Sequence, residues 1–154
     1  MQEVIERFYT AFTNLDADGM SDCYHPDIVF EDPAFGVLKG DRAKNMWRML
    51  CASQKGKDFR VDYSQVKENG TNGSAHWEAF YTFSQTGRKV HNIVNATFVI
   101  KDGLIIKHSD DFDLHIWAKQ AMGFKGWLLG GTSFFRNKLQ TSTNTLLDNF
   151  EQKL

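Results

Sequence analysis

Ala75-His76-Trp77-Glu78-Ala79-Phe80-Tyr81-Thr82-Phe83, Lys89-Val90-His91-Asn92-Ile93-Val94-Asn95-Ala96-Thr97-Phe98-Val99-Ile100 and Leu104-Ile105-Ile106-Lys107-His108-Ser109-Asp110-Asp111-Phe112 follow one another with only Thr86-Gly87 and Asp102-Gly103 as punctuation. Branched and aromatic side chains suit a pleated surface, and residue-glycine pairs suit tight hairpin turns. The spacing predicts three long antiparallel strands in succession. Just upstream, Phe59, Val61 and Tyr63 alternate with Arg60, Asp62 and Ser64, the period of a fourth strand with one buried face, and Asn69-Gly70 and Asn72-Gly73 mark the turn after it.

Before Phe59 the period is helical. Val4, Ile5, Phe8, Phe12 and Leu15 form one stripe of a helix ending near Asp16. Asp18 is placed to cap a short second helix carrying Met20, Cys23 and Tyr24, which Pro26 stops, and Ile28–Asp32 reads as a brief strand closed by Pro33. Asp41 sits at the cap of a third helix, with Ala43, Met46, Trp47 and Leu50 on one face and an end near Gly56. After Phe112 the helical period returns at Leu114, Trp117 and Met122. A glycine-interrupted apolar stretch then runs from Gly123 to Phe135, and Leu139, Thr143, Leu146, Phe150 and Leu154 stripe a last helix. Packing of that tail on its own domain is favoured over docking on a second subunit.

Helices followed by a long meander give an α+β class: a cone-shaped, curved antiparallel sheet with the N-terminal helices over its concave face, plus a C-terminal helical extension. The length of 154 residues suits one domain, with a core over about 1–118 and the extension over about 119–154. The balance of 18 Lys+Arg against 19 Asp+Glu leaves a formal charge of −1, so the chain as a whole is not drawn to nucleic acid or to anionic lipid. Two cysteines, and an opening without a basic segment followed by a long apolar one, point to a cytoplasmic protein. The Asn69-Gly-Thr, Asn72-Gly-Ser and Asn95-Ala-Thr triplets then read as turn or strand residues, and no run is apolar enough for a membrane span.

Two stretches carry a family resemblance. Ile5-Glu6-Arg7-Phe8-Tyr9-Thr10-Ala11-Phe12, with Asp16-Ala17-Asp18-Gly19-Met20 and Val29-Phe30-Glu31-Asp32-Pro33, resembles the opening of the nuclear transport factor 2-like superfamily, especially its ketosteroid isomerase-like and SnoaL-like branch. Gly103 to Leu114 resembles the last strand of limonene-epoxide hydrolases. The resemblance implies that Asp32 occupies the place of the isomerase general base and Asp110 that of the hydrolase's water-activating aspartate. It also sets Phe8 and Ala96 where the isomerase has its oxyanion donors, and Ala79 and Trp77 where the hydrolase has an Asp-Arg pair, so the chain departs from both plans.

Strand parity puts His108, Asp110 and Phe112 on one face, and the resemblance aims that face into the cone. The same alignment turns Asn92, Val94, Ala96 and Phe98 inward, as it does Trp77, Ala79 and Tyr81. The expected site therefore has Asp32, Asp110 and His108 as catalytic groups, with Tyr9, Trp77, Tyr81, Asn92 and Phe112 lining the substrate space. Two carboxylates near one imidazole can divide acid and base roles. A purely structural arrangement, with Asp110 and His108 pairing and Asp32 capping a turn, stays open. No metal and no cofactor is expected: His91, His108 and Asp110 could supply ligands, but parity turns His91 out of the cone. Cys23 and Cys51 read as small core residues, His25 as a loop residue, and His115 as the start of a helix.

Together these features imply a ketosteroid isomerase-like enzyme performing proton transfer or hydrolysis on a small, largely apolar carbonyl or epoxide compound. The alternative is a non-catalytic ligand-binding or dimerisation module. A homodimer is expected in either case, because Ile93, Val99 and Phe80 fall on the outer sheet face.

Overall fold

A computed structural model describes residues 3–154. Helix α1 (Val4–Thr13) turns Val4, Ile5, Phe8, Tyr9 and Phe12 into the core. Its start lies so close to the sheet that a side chain at Gly73 would collide with Ile5 Cδ1, which is why a residue without Cβ stands there. Helix α2 (Ala17–Asp22) is capped by Asp16, whose carboxylate accepts from Gly19 N, and not by Asp18. It ends before Tyr24 because strand β1 (Tyr24–Asp32) begins there and runs straight through Pro26; His25 is thus a strand residue. Pro26 is tolerated because the ladder to the neighbouring strand is irregular between Tyr24 and Val29. A short strand β2 (Gly36–Lys39), without a strong sequence signal, folds back on β1. Helix α3 (Asp41–Gln54) follows, with Gly40 as its N-cap and Asp41 in the first turn.

The meander comprises β3 (Arg60–Glu68), β4 (Asn72–Phe83), β5 (Arg88–Lys101) and β6 (Leu104–Asp111). Asn72-Gly73 belongs to β4 rather than to the turn, since Asn69 alone closes that turn, accepting from the backbone of Thr71 and Asn72. The sheet order is β2-β1-β6-β5-β4-β3, antiparallel except where β1 lies parallel to β6. Register irregularities between Ser64 and Lys67 and between Val99 and Ile100 bend the strands around α1 and α3, as bulges do. The concave side is filled by one core that includes Phe8, Phe12, Phe30, Trp47, Trp77 and Phe98.

Helix α4 (Leu114–Met122) closes the end of the cone where β4 stops and β5 starts, burying Leu114, Trp117, Ala118 and Ala121 against Val90. Helix α5 (Phe124–Leu129) is short, and α6 (Ser133–Glu151) crosses back over α3. Arg42 of α3 pairs with Asp148 and Glu151 of α6 at 2.8 and 2.5 Å. The tail thus docks on its own chain, through Leu147 rather than the expected Leu146 and Leu154, which stay exposed. No described helix is long and apolar enough to cross a membrane.

Leu147 is the only fully enclosed side chain that α6 contributes among the described residues. Leu147→Ala is expected to lower the unfolding free energy in urea by about 2–4 kcal/mol. Leu146→Ala, on a half-exposed neighbour, should change it by less than about 0.5 kcal/mol.

Candidate functional site

Parallel pairing of β1 with β6 sets Phe30 opposite His108, and the same parity carries Asp32 and Asp110 onto the concave face. His108 is wholly enclosed and Asp110 is 5% exposed, an expensive position for a carboxylate unless its partners are complete. The partners form a directed chain. Indole nitrogens only donate, so Trp47 Nε1 donates to the Tyr24 hydroxyl at 2.9 Å; with His108 as the tautomer protonated on Nε2, facing the Asp110 carboxylate, that hydroxyl sends its own proton to His108 Nδ1 at 2.7 Å. His108 Nε2 then donates to Asp110 Oδ1 at 2.9 Å, where Trp77 Nε1 also donates at 3.2 Å. The imidazole lies parallel to the Trp47 ring at 6.2 Å and edge-on to Phe30 and Phe8. Asp110 Oδ2 has no hydrogen bond among the described residues.

Asp32 is held differently. Its Oδ1 accepts from the backbone of Ala34 at 2.9 Å and Phe35 at 2.7 Å, which leaves Oδ2 unengaged. Burial, reinforced by the charge of Asp110, pushes its carboxyl up to about 7 although those amide bonds pull the other way. The same turn is gripped from behind by α6: Gln140 donates to Pro33 O, Thr143 to Ala34 O and Asn144 to Phe35 O, at 3.1, 2.8 and 2.9 Å. The C-terminal extension therefore fixes the backbone that positions Asp32.

Tyr9 is fully buried, and its hydroxyl is without a hydrogen-bond partner among the described residues. Burial, with the nearby charges of Asp110 and Tyr24 adding to it, raises its proton affinity well above the usual tyrosine value, so it stays a donor. Trp77 is taken up by Asp110. Tyr81 accepts from Trp117 Nε1 at 2.8 Å and, like Phe112, lies half-buried under α4. Asn92 is half-buried on the inward parity between Val90 and Val94. His91 stands on the outer face, as parity requires, where Glu78 bridges it to His76. No cluster of three or more His, Cys, Asp or Glu able to hold a metal occurs among the described residues.

Tyr24 and Trp47 are the participants that sequence spacing could not reveal. Tyr24 lies 84 residues from His108 and carries no local signal for that contact, and Trp47 shares the helical spacing of any core residue.

The family model of the SnoaL-like domain matches residues 5–108. The chain belongs to the SnoaL-like family. Among solved structures it is similar to an epoxide hydrolase of the limonene-epoxide hydrolase-like type from Mycobacterium tuberculosis, at 24% identity, with a TM-score of 0.58 and coverage of 82% of this chain and 88% of that one. A nuclear transport factor 2-like protein of unknown function from Burkholderia pseudomallei superposes with a TM-score of 0.65 at 16% identity, covering 77% and 95% of the two chains. A protein with a ketosteroid isomerase-like fold from Catenulispora acidiphila, solved with trimethylamine, gives 0.63 at 12% identity over 79% and 93%. These likenesses establish the cone fold of the SnoaL-like chain. Comparison with curated proteins finds no match.

Replacing Tyr24 by Phe strips both Trp47 Nε1 and His108 Nδ1 of their partner in the interior. Tyr24→Phe is expected to cost about 2–4 kcal/mol in urea unfolding. A cost below about 0.5 kcal/mol would contradict the directed chain.

Proposed function

We propose that this SnoaL-like protein is a small-molecule enzyme of the ketosteroid isomerase-like type, moving a proton on a small, largely apolar carbonyl compound. The observation that carries this reading is the contrast on one concave face between Asp110, whose Oδ1 is locked by the His108 and Trp77 side chains, and Asp32, whose Oδ1 is held by local amides alone while burial raises its proton affinity. A base works best when its proton affinity lies near the operating pH, and about 7 for Asp32 meets that condition. Asp32 Oδ2 takes the proton from the carbon beside the carbonyl and returns it to another carbon of the resulting enolate, while Oδ1 stays anchored to the turn. The unpartnered Tyr9 hydroxyl is the donor available for the developing oxyanion. Burial, reinforced by the charge of Asp110, keeps the proton affinity of Asp32 high. With an epoxide as substrate, the same carboxylate would take the proton of an attacking water.

A second reading is favoured by Phe8 and Ala96, which stand where the ketosteroid isomerases that the chain resembles have their oxyanion donors: a non-catalytic module that holds an apolar ligand. Under either reading the exposed Ile93 and Val99 on the outer face suit pairing with a second copy of the chain.

A panel of enones, lactones and epoxides discriminates the two. Turnover is expected with the wild type, and Asp32→Asn should lower kcat/KM at least about 100-fold. Its amide oxygen can still accept from Ala34 and Phe35, so the thermal midpoint should stay close to that of the wild type. Because the ionised carboxylate is the base, kcat/KM should rise with pH through about 7 and then level off. No turnover above blank, with an apolar molecule co-purifying and recovered unchanged, would decide for the binding module.

A further inference from the structure

The segment from Leu114 to Leu147 holds four of the chain's 18 cationic residues, Lys119, Lys125, Arg136 and Lys138, and none of its 19 acidic ones. Fourteen cations then face nineteen acids elsewhere, so the near-neutral total conceals a basic C-terminal region on an acidic body.

Helix α5 within this segment is turned inside out. Its small face points inward: a side chain at Gly126 would collide with the Ala118 carbonyl, and one at Gly130 would lie 2.6 Å from Ala118 Cβ. Close seating of that glycine face on α4 forces the bulky face outward. Phe124, Trp127 and Leu128, spaced for one stripe, are 72, 50 and 58% exposed, and Phe134 at the start of α6 is 68% exposed. A soluble surface rarely presents such a group without a counterpart.

Cations accompany the rings. Phe124 and Trp127 line a shallow cleft of about 360 Å³ together with Arg88 and Lys119. Arg88 donates Nε to Gln120 O at 2.8 Å, and neither it nor Lys119 has an acidic partner among the described residues. Lys138 Nζ lies 5.9 Å from the Phe134 ring centre. Unpaired cations beside exposed aromatic and leucine side chains complement an anionic phospholipid interface, where phosphates meet the cations and the apolar tips enter the acyl boundary. Face-to-face pairing with a second copy would bring like charges together, since nothing acidic lies within the segment itself.

We propose that the α5 face, from Lys119 to Lys138, docks the protein peripherally on anionic phospholipid membranes, independently of the chemistry at Asp32.

Co-sedimentation of the full chain with vesicles of equimolar phosphatidylglycerol and phosphatidylcholine, against pure phosphatidylcholine, tests this. The protein is expected to pellet with the anionic vesicles, to remain in solution with the zwitterionic ones, and to be released by 1 M NaCl, where screening acts over about 3 Å. The other three indoles are buried, so a blue shift of emission on binding reports Trp127. Lys119→Gln and Lys125→Gln should each weaken partition about fivefold, and Leu128→Ser should weaken it at least as much. All three side chains are solvent-facing, and unchanged thermal midpoints would check the fold. The proposal is overturned by absence of pelleting with anionic vesicles or by equal pelleting with both kinds. Binding indifferent to Leu128→Ser also overturns it, as does self-association without lipid that Leu128→Ser abolishes, which would assign the face to a second copy.

Discussion

A carboxylate enclosed by aromatic rings is the constraint around which this fold is arranged. Asp110 can remain inside the cone only because His108 and Trp77 donate to it, and His108 can serve only because Tyr24 and Trp47 complete its other side. That single chain of polar contacts ties β4, β6, β1 and α3 together through an otherwise apolar interior. Its cost is that every member must be present, since a buried donor or acceptor left alone costs about 1–3 kcal/mol.

The two aspartates on the concave face therefore have different characters. Asp110 is locked on one oxygen by the side chains of His108 on its own strand and Trp77 on β4, whereas Asp32 is held on one oxygen by local amides alone. The negative charge of the locked residue helps to keep a proton on the other up to near-neutral pH, although burial is the larger cause. Helix α6 joins this arrangement from outside. By taking the carbonyls of Pro33, Ala34 and Phe35, it leaves the amides of the same turn directed at Asp32. The extension that gave the least functional signal in the sequence thus supports the residue with the most.

Much of this was legible in the chain because local rules happened to agree with the global ones. The alternation in β4, β5 and β6 located those strands to within a few residues and set His108 and Asp110 on one face and His91 opposite Asn92, while the family resemblance said which of those faces turns inward. Errors arose where tertiary contacts overrode local chemistry. Tyr24 and Pro26 looked like the end of a helix, yet pairing with β6 draws them into β1. Asn72-Gly73 has turn composition but lies in β4, where its glycine makes room for Ile5. The stripe on α6 suggested Leu146, while docking on α3 selects Leu147. The donor roles of Trp47 and Trp117 depend on partners far along the chain, which no spacing encodes. Averaging also misled: a formal charge of −1 hid the basic segment around α5.

The proposed chemistry depends on Asp32 sharing the concave face with Asp110 and carrying a proton that exchanges near neutrality. Carbon-13 NMR titration of the Asp32 carboxyl tests this directly, with Asp32→Asn used to assign the signal. A midpoint close to pH 7 is predicted, falling only in part when Asp110 is replaced by Asn, because burial contributes more than the neighbouring charge. A midpoint near 4, the range of a solvated carboxyl, and indifferent to Asp110 would contradict it.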